Sequence, residues 1–155
     1  MLVAAFRSDH PQHHTARAWL DRAREASAAG QQTLVLLPVV VSGFLRITTN
    51  PRVFSRPDDI ADAIAFIDAV LATPGAEAAT MVDDWPALRA LLLRIGRGGN
   101  LVTDAWIATS VQSSSEHLVT FDRDFLHCFW FRGSMAHRRF AINREATVEI
   151  PLCLA

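Results

Sequence analysis

Two short apolar runs, TLVLL at 33–37 and HLVTF at 117–121, stand between stretches of helical period. Each is too short for a buried helix and is rich in Leu and Val, which reads as a buried strand. Around them lie amphipathic segments. Residues 11–29 (PQHHTARAWLDRAREASAA) put Ala16, Trp19, Leu20 and Ala23 on one face, with Asp9 or His10 as a start signal. Pro38 opens a helix through VVVSGFLRITT that stops at Asn50-Pro51. A third helix lies within 56–75, with Pro57 near its first turn and Pro74-Gly75 closing it; its stripe of Ile60, Ile64, Ile67 and Leu71 reads as core in preference to a partner groove. AEAATMV at 76–82 is a candidate short strand, 83–99 a helix closed by glycines, and 101–113 a helix starting near Asn100 or Thr103. Strands alternating with helices imply an α/β fold with a short parallel sheet flanked by helices. After Phe125 the period fades, and residues 126–155 form a poorly defined tail in which only ATVEI resembles an edge strand.

A chain of 155 residues, half of them apolar, is expected to form a single domain with its own core. Fifteen basic residues against sixteen acidic ones leave a net charge of −1, so no bulk positive field announces nucleic acid or an anionic membrane; any RNA contact must be local. All the basic residues are Arg. The absence of Lys excludes P-loop nucleotide binding and Schiff-base or Ser-Lys chemistry, and with the position of the motif it counts against a haloacid-dehalogenase reading of the Asp-x-Asp in FDRDF. Two cysteines, Cys128 and Cys153, lack metal-type spacing, the first residues are too short and polar for a signal peptide, and no apolar run nears membrane-spanning length. A soluble, cytoplasmic protein is expected.

Asp122 and Asp124 follow the strand HLVTF directly, at the carboxyl rim where open parallel sheets form their sites. Asp104, in LVTDAWIA, falls in the first turn of a helix, where the macrodipole favours an anion. If these carboxylates converge they repel unless a cation joins them, and hard oxygen ligands select Mg2+ or Mn2+, which take remaining ligands from substrate phosphate. The competing structural account is simple: Asp104 stabilises a helix start, and Asp122 and Asp124 cap a turn.

The stretch RGGNLVTDAWIATSVQSSSEHLVTFDRDF resembles the C-terminal half of PIN-domain ribonucleases, specifically VapC-type toxins of toxin–antitoxin pairs. GFLRITTNPRVF resembles that subgroup's middle segment and VAAFRSDHPQHHTARAWL its first helix, so the similarity covers about residues 2–125. The resemblance implies a PIN-like three-layer sandwich and a Mg2+-dependent endoribonuclease. Asp104 and Asp122 match metal ligands, Asp124 a neighbouring catalytic acid, and Thr120 a supporting hydroxyl. It also implies an RNA substrate, a VapB-type antitoxin and a homodimer. Two departures stand out. The family's first strand and its Asp have no counterpart before LVAAF, unless translation starts upstream, and Val41 occupies the position of a family Glu, with no Glu between Glu25 and Glu77. Impaired activity is therefore expected, and the rival reading is a non-catalytic PIN remnant that binds an antitoxin.

Other residues weigh less. His10, His13 and His14 could share a helix face but read as surface histidines. Arg46 and Arg52 flank ITTNP and could meet phosphate bidentately or simply be solvated, while Arg123, between the two acids, is the better candidate for substrate contact or ion pairing.

Overall fold

Residues 1–81, 83–114, 116–125, 128 and 148–150 are described in a computed structural model of the chain, which forms two compact units, Met1–Thr80 and Met81–Ala155. The expected tail, 126–155, lies outside the described residues except for Cys128 and Val148–Ile150.

The first unit opens on a short helix, α1 (Leu2–Phe6), that the sequence did not announce, because five residues are too few to show a period. Helix α2 (His13–Ala28) follows, with Ala16, Leu20 and Ala23 buried as their spacing predicts. Strand β1 (Leu34–Leu36) sits within TLVLL. Helix α3 (Pro38–Thr48) starts with proline at its first position, where no amide hydrogen is needed. Helix α4 (Ile60–Leu71) is capped by Asp59, whose carboxylate accepts from the Ala61 amide at 2.7 Å. Pro57 thus lies just ahead of the cap, near the first turn as expected. Strand β2 (Ala76–Ala78) pairs parallel with β1, Leu34 opposite Ala76 and Leu36 opposite Ala78, so the parallel pairing read from the sequence is present here.

An aromatic triad holds this unit's helices together. Phe6 of α1 meets Phe44 of α3 edge-on at 5.4 Å and Phe66 of α4 at 5.1 Å, and Phe44 and Phe66 are 5.5 Å apart. Such contacts add about 0.5–1.5 kcal/mol per pair beyond area burial. On α4 the buried residues are Ala63, Ile67 and Val70, whereas Ile60 and Ile64 are 49% and 44% exposed. At 100° per residue the inward face centres on Ala63 and Val70, which turns Ile60 and Ile64 to its rim. That corrects the expected stripe. Gly75, with φ of 77°, presses its α-carbon against α2: a β-carbon there would lie 2.8 Å from the Ser27 carbonyl and hydroxyl oxygens.

The second unit contains α5 (Trp85–Ile95), capped by Asp84, whose carboxylate accepts from the Ala87 amide, and closed by Gly96 in the left-handed region at φ 65°. Helix α6 (Leu101–Ser113) packs on α5. Strand β3 (Leu118–Thr120) pairs antiparallel with β4 (Val148–Ile150), Thr120 opposite Val148, which places the last three residues of ATVEI in a sheet; its first two lie outside the described residues. Leu91, Ala105, Ala108 and Cys128 form a buried cluster with Leu88, Leu92 and Ile95 against it.

Candidate functional site

Within the second unit, Gly98 and Gly99 end the connection from α5, Gly99 with φ of 66°, and α6 begins after Asn100. Asp104 follows in the first turn, as its position in LVTDAW predicted. The next residues fix its setting. Ala105, Ile107, Ala108, Thr109, Ser110 and Val111 are all buried, so α6 is largely a core helix, with Val102 and Trp106 exposed and Asp104 half-buried at its amino end.

The chain returns through β3. Thr120, its last residue, is buried, and its hydroxyl oxygen accepts the amide hydrogen of Asp122 at 3.0 Å. Asp122 in turn accepts from the Asp124 amide through Oδ1 at 2.9 Å. Two successive side-chain turns therefore bend the backbone directly after the strand and leave Asp122, Arg123 and Asp124 exposed while Phe125 goes inward at 6% exposure. The turn-capping role weighed for these residues is thus real for Asp122, whereas Asp124 contributes its amide and not its carboxylate. It does not exhaust them, since one oxygen of Asp122 and both of Asp124 have no other bond among the described residues.

Asp104, Asp122 and Asp124 act on one another. The Asp104 carboxyl is pushed above the ordinary carboxylate range, first by burial and then by the charges of Asp122 and Asp124. The buried Cys128 thiol is pushed up to about 11 by burial and by the charge of Asp104, with Arg94 working against them. Acids 18 and 20 residues apart therefore share one electrostatic environment, with Cys128 behind them against Ala105 and Ala108. Sequence reading dismissed Cys128 because its spacing was wrong for a metal. Its place beside the acids follows from packing alone.

The remaining candidates separate. Arg123 is exposed and makes no ion pair among the described residues. Arg46 lies in the first unit, exposed in the last turn of α3. His13 Nδ1 donates to the Ala4 carbonyl at 3.0 Å and His10 Nδ1 accepts from the Gln12 amide at 3.1 Å, which gives those rings local structural roles. Among the described residues no group of three or more His, Cys, Asp or Glu side chains is arranged to hold a metal ion. Nor is any helix among them long and apolar enough to cross a membrane.

The model of the PIN domain matches residues 1–128. The chain belongs to the PIN-domain family. Within it, the VapC type is the match: the chain is 35% identical to Ribonuclease VapC25 of Mycobacterium tuberculosis over 131 residues, which cover 81% of this chain and 86% of that protein. It is 34% identical to Ribonuclease VapC31 of the same organism, with the same coverage. It is 33% identical to VapC ribonuclease Mb2897 of Mycobacterium bovis over 126 residues, covering 81% of this chain and 83% of that one. The α/β architecture, with its parallel β1–β2 pair, is that of a PIN-type protein.

Proposed function

We propose that this chain is the toxin of a type II toxin–antitoxin pair, a Mg2+- or Mn2+-dependent endoribonuclease of low turnover. The observation that carries the reading is the half-buried Asp104 carboxyl held under the charges of Asp122 and Asp124. Mutually repelling carboxylates with free oxygens suit a hard divalent cation, and magnesium commonly uses only one or two protein carboxylates when phosphate completes its shell. When bound, such an ion activates water and offsets charge on the leaving oxygen of a phosphodiester.

The chain's own residues divide the work. Asp104 and Asp122 are the ligands, each held by a different element. Asp124 stands beside them as the assisting acid, and Thr120 positions Asp122 by accepting its amide hydrogen. Arg123 supplies a guanidinium for the substrate phosphate. Low turnover follows from the small donor set: Val41 stands where the family resemblance implies a Glu, and the described residues include no three-ligand group. Removal of one well-placed electrostatic group commonly costs about 10²–10³ in rate. RNA is the substrate, a VapB-type antitoxin the partner, a homodimer the working state and the cytoplasm the location.

The same small donor set favours a second reading, a PIN remnant that binds its antitoxin without catalysis. Incubation of RNA with the protein and Mn2+ is expected to give slow cleavage, lost in Asp122→Asn. Calorimetric titration with Mn2+ distinguishes the two. Absence of heat at millimolar metal leaves only the binding module, and rapid cleavage refutes low turnover.

A further inference from the structure

The acidic centre repels a polyanion and the chain carries a net charge of −1, so a ribonuclease of this composition must grip RNA with guanidinium groups that its own carboxylates do not neutralise. In the first unit, residues 49–59 between α3 and α4 meet that requirement. The segment is closed at its neck, where the Asp58 amide donates to the Thr48 carbonyl at 2.9 Å. Inside it, the Asn50 carbonyl accepts from the amides of Val53 and Phe54, and the Asn50 side chain accepts from the Arg52 amide at 2.9 Å. Pro51 and Pro57 restrict the backbone further.

A buried arginine from outside the loop fastens it. Arg7, 8% exposed, donates to the Arg56 carbonyl and to Asp58, pairs with Asp9, and lies 3.8 Å from the centre of the Phe54 ring. Of the loop's two carboxylates, Asp58 is paired with the buried Arg7, and Asp59 accepts from the Ala61 amide at the amino end of α4. Arg52 and Arg56 on the loop, and Arg46 one turn before it, are exposed and make no ion pair among the described residues. By contrast, Arg17 pairs with Asp21, and Arg24 bonds to Thr73 and the Ala69 carbonyl.

We propose that Arg52 and Arg56, displayed on the Arg7-fastened loop 49–59, together with Arg46 in the last turn of α3, form a binding surface for the phosphates of single-stranded RNA. The proposal rests on the ribonuclease reading and extends it to substrate binding. Guanidinium matches phosphate bidentately. A loop fixed before binding loses less conformational freedom on association than a mobile one.

The test compares wild type with Arg46→Gln/Arg52→Gln/Arg56→Gln and with a control that removes three exposed arginines elsewhere, Arg17→Gln/Arg22→Gln/Arg89→Gln. Fluorescence anisotropy with a labelled single-stranded RNA of about 20 nucleotides, longer than the roughly 4–16 that one compact binding fold covers, is measured in EDTA across a salt series. The loop variant is expected to bind at least about tenfold more weakly, and its salt slope to fall by about 2, as for the loss of three phosphate contacts at about 0.7 each. The control should change far less. Phenylglyoxal labelling of the wild-type protein gives an independent check, since RNA should protect Arg46, Arg52 and Arg56, and equal labelling with and without RNA overturns the proposal whether or not the variant folds. Equal loss in both variants overturns it in favour of bulk charge. Unchanged RNA affinity with lost binding to polyglutamate overturns it in favour of an acidic protein partner. If wild type neither binds RNA nor cleaves it with Mn2+, the ribonuclease reading falls as well; if it cleaves and the loop variant binds like wild type, only the proposal falls.

Discussion

Cys128 and Asp104 show how much a single residue's chemistry depends on what packs beside it. Cys128 is 1% exposed and its thiol is pushed up to about 11, so little thiolate forms near neutrality. In a Cys153→Ser background, alkylation of the folded protein at mildly alkaline pH is expected to be at least about 100-fold slower than in denaturant, where a thiol has its ordinary pKa near 8.5. A thiol-reagent time course reads this directly. Asp104 is displaced upward by burial and by its acidic neighbours, so its ionised form opposes folding. That opposition is complete above the folded pKa and is relieved as pH falls through it toward the unfolded value. Asp104→Asn should therefore raise the melting temperature at neutral pH and remove this part of the pH dependence, while abolishing any stabilisation by Mn2+. Thermal melts across pH with and without the metal check both outcomes. Asp104 was legible because a helix start and an acid stood together in LVTDAW. Its electrostatic coupling to Asp122 was expected only through the family resemblance that gave both as metal ligands, because no local pattern encodes an interaction between residues so far apart in the chain.

At the scale of elements, local signals placed most boundaries. Asp59, Asp84, Pro38 and Gly96 each act at a helix end through a bond or a backbone conformation internal to a few residues. The exceptions have physical causes. Helix α1 is too short for a period, and the inward face of α4 was misjudged because burial is decided by the neighbours of Ala63 and Val70, not by which face is richest in Ile. Gly75 combines a local and a tertiary demand: positive φ and an approach to Ser27 of α2 that leaves no room for a β-carbon. Gly75→Ala is expected to destabilise by about 2 kcal/mol or more, from the left-handed backbone and the enforced shift together. Gly30 also has positive φ, at 69°, but has nothing within 4 Å of an added β-carbon, so Gly30→Ala should cost only the backbone part, about 1–2 kcal/mol. Urea denaturation of the two variants separates the contributions.

For the molecule as a whole, near-neutral net charge hides strongly local electrostatics. The first unit contains a carboxyl displaced downward, Asp9, held there chiefly by its hydrogen bond from Arg7, whereas the second contains Asp104, displaced upward. Their contributions to acid stability have opposite signs: Asp9 stabilises above its unfolded pKa and loses that effect as pH falls through its lower folded value. Arg7→Met should be less stable than wild type by about 2–3 kcal/mol at neutral pH, through loss of the hydrogen bonds to Asp58 and the Arg56 carbonyl and of the stacking on Phe54, and the difference should narrow as pH falls through the folded pKa of Asp9. Denaturant midpoints of both proteins across the acid range test this. What the sequence determined by itself was the order of the strands and of the helices after α1, most of their ends, and the placing of Asp104 and Asp122 at element termini, because periodicity, caps and turns are short-range. Only the tertiary structure decided that Arg7 fastens a loop some fifty residues away, that three aromatic rings join α1, α3 and α4, and that Cys128 lies beside the acids. Those contacts depend on which faces meet after collapse, a choice made by shape and desolvation over the whole fold.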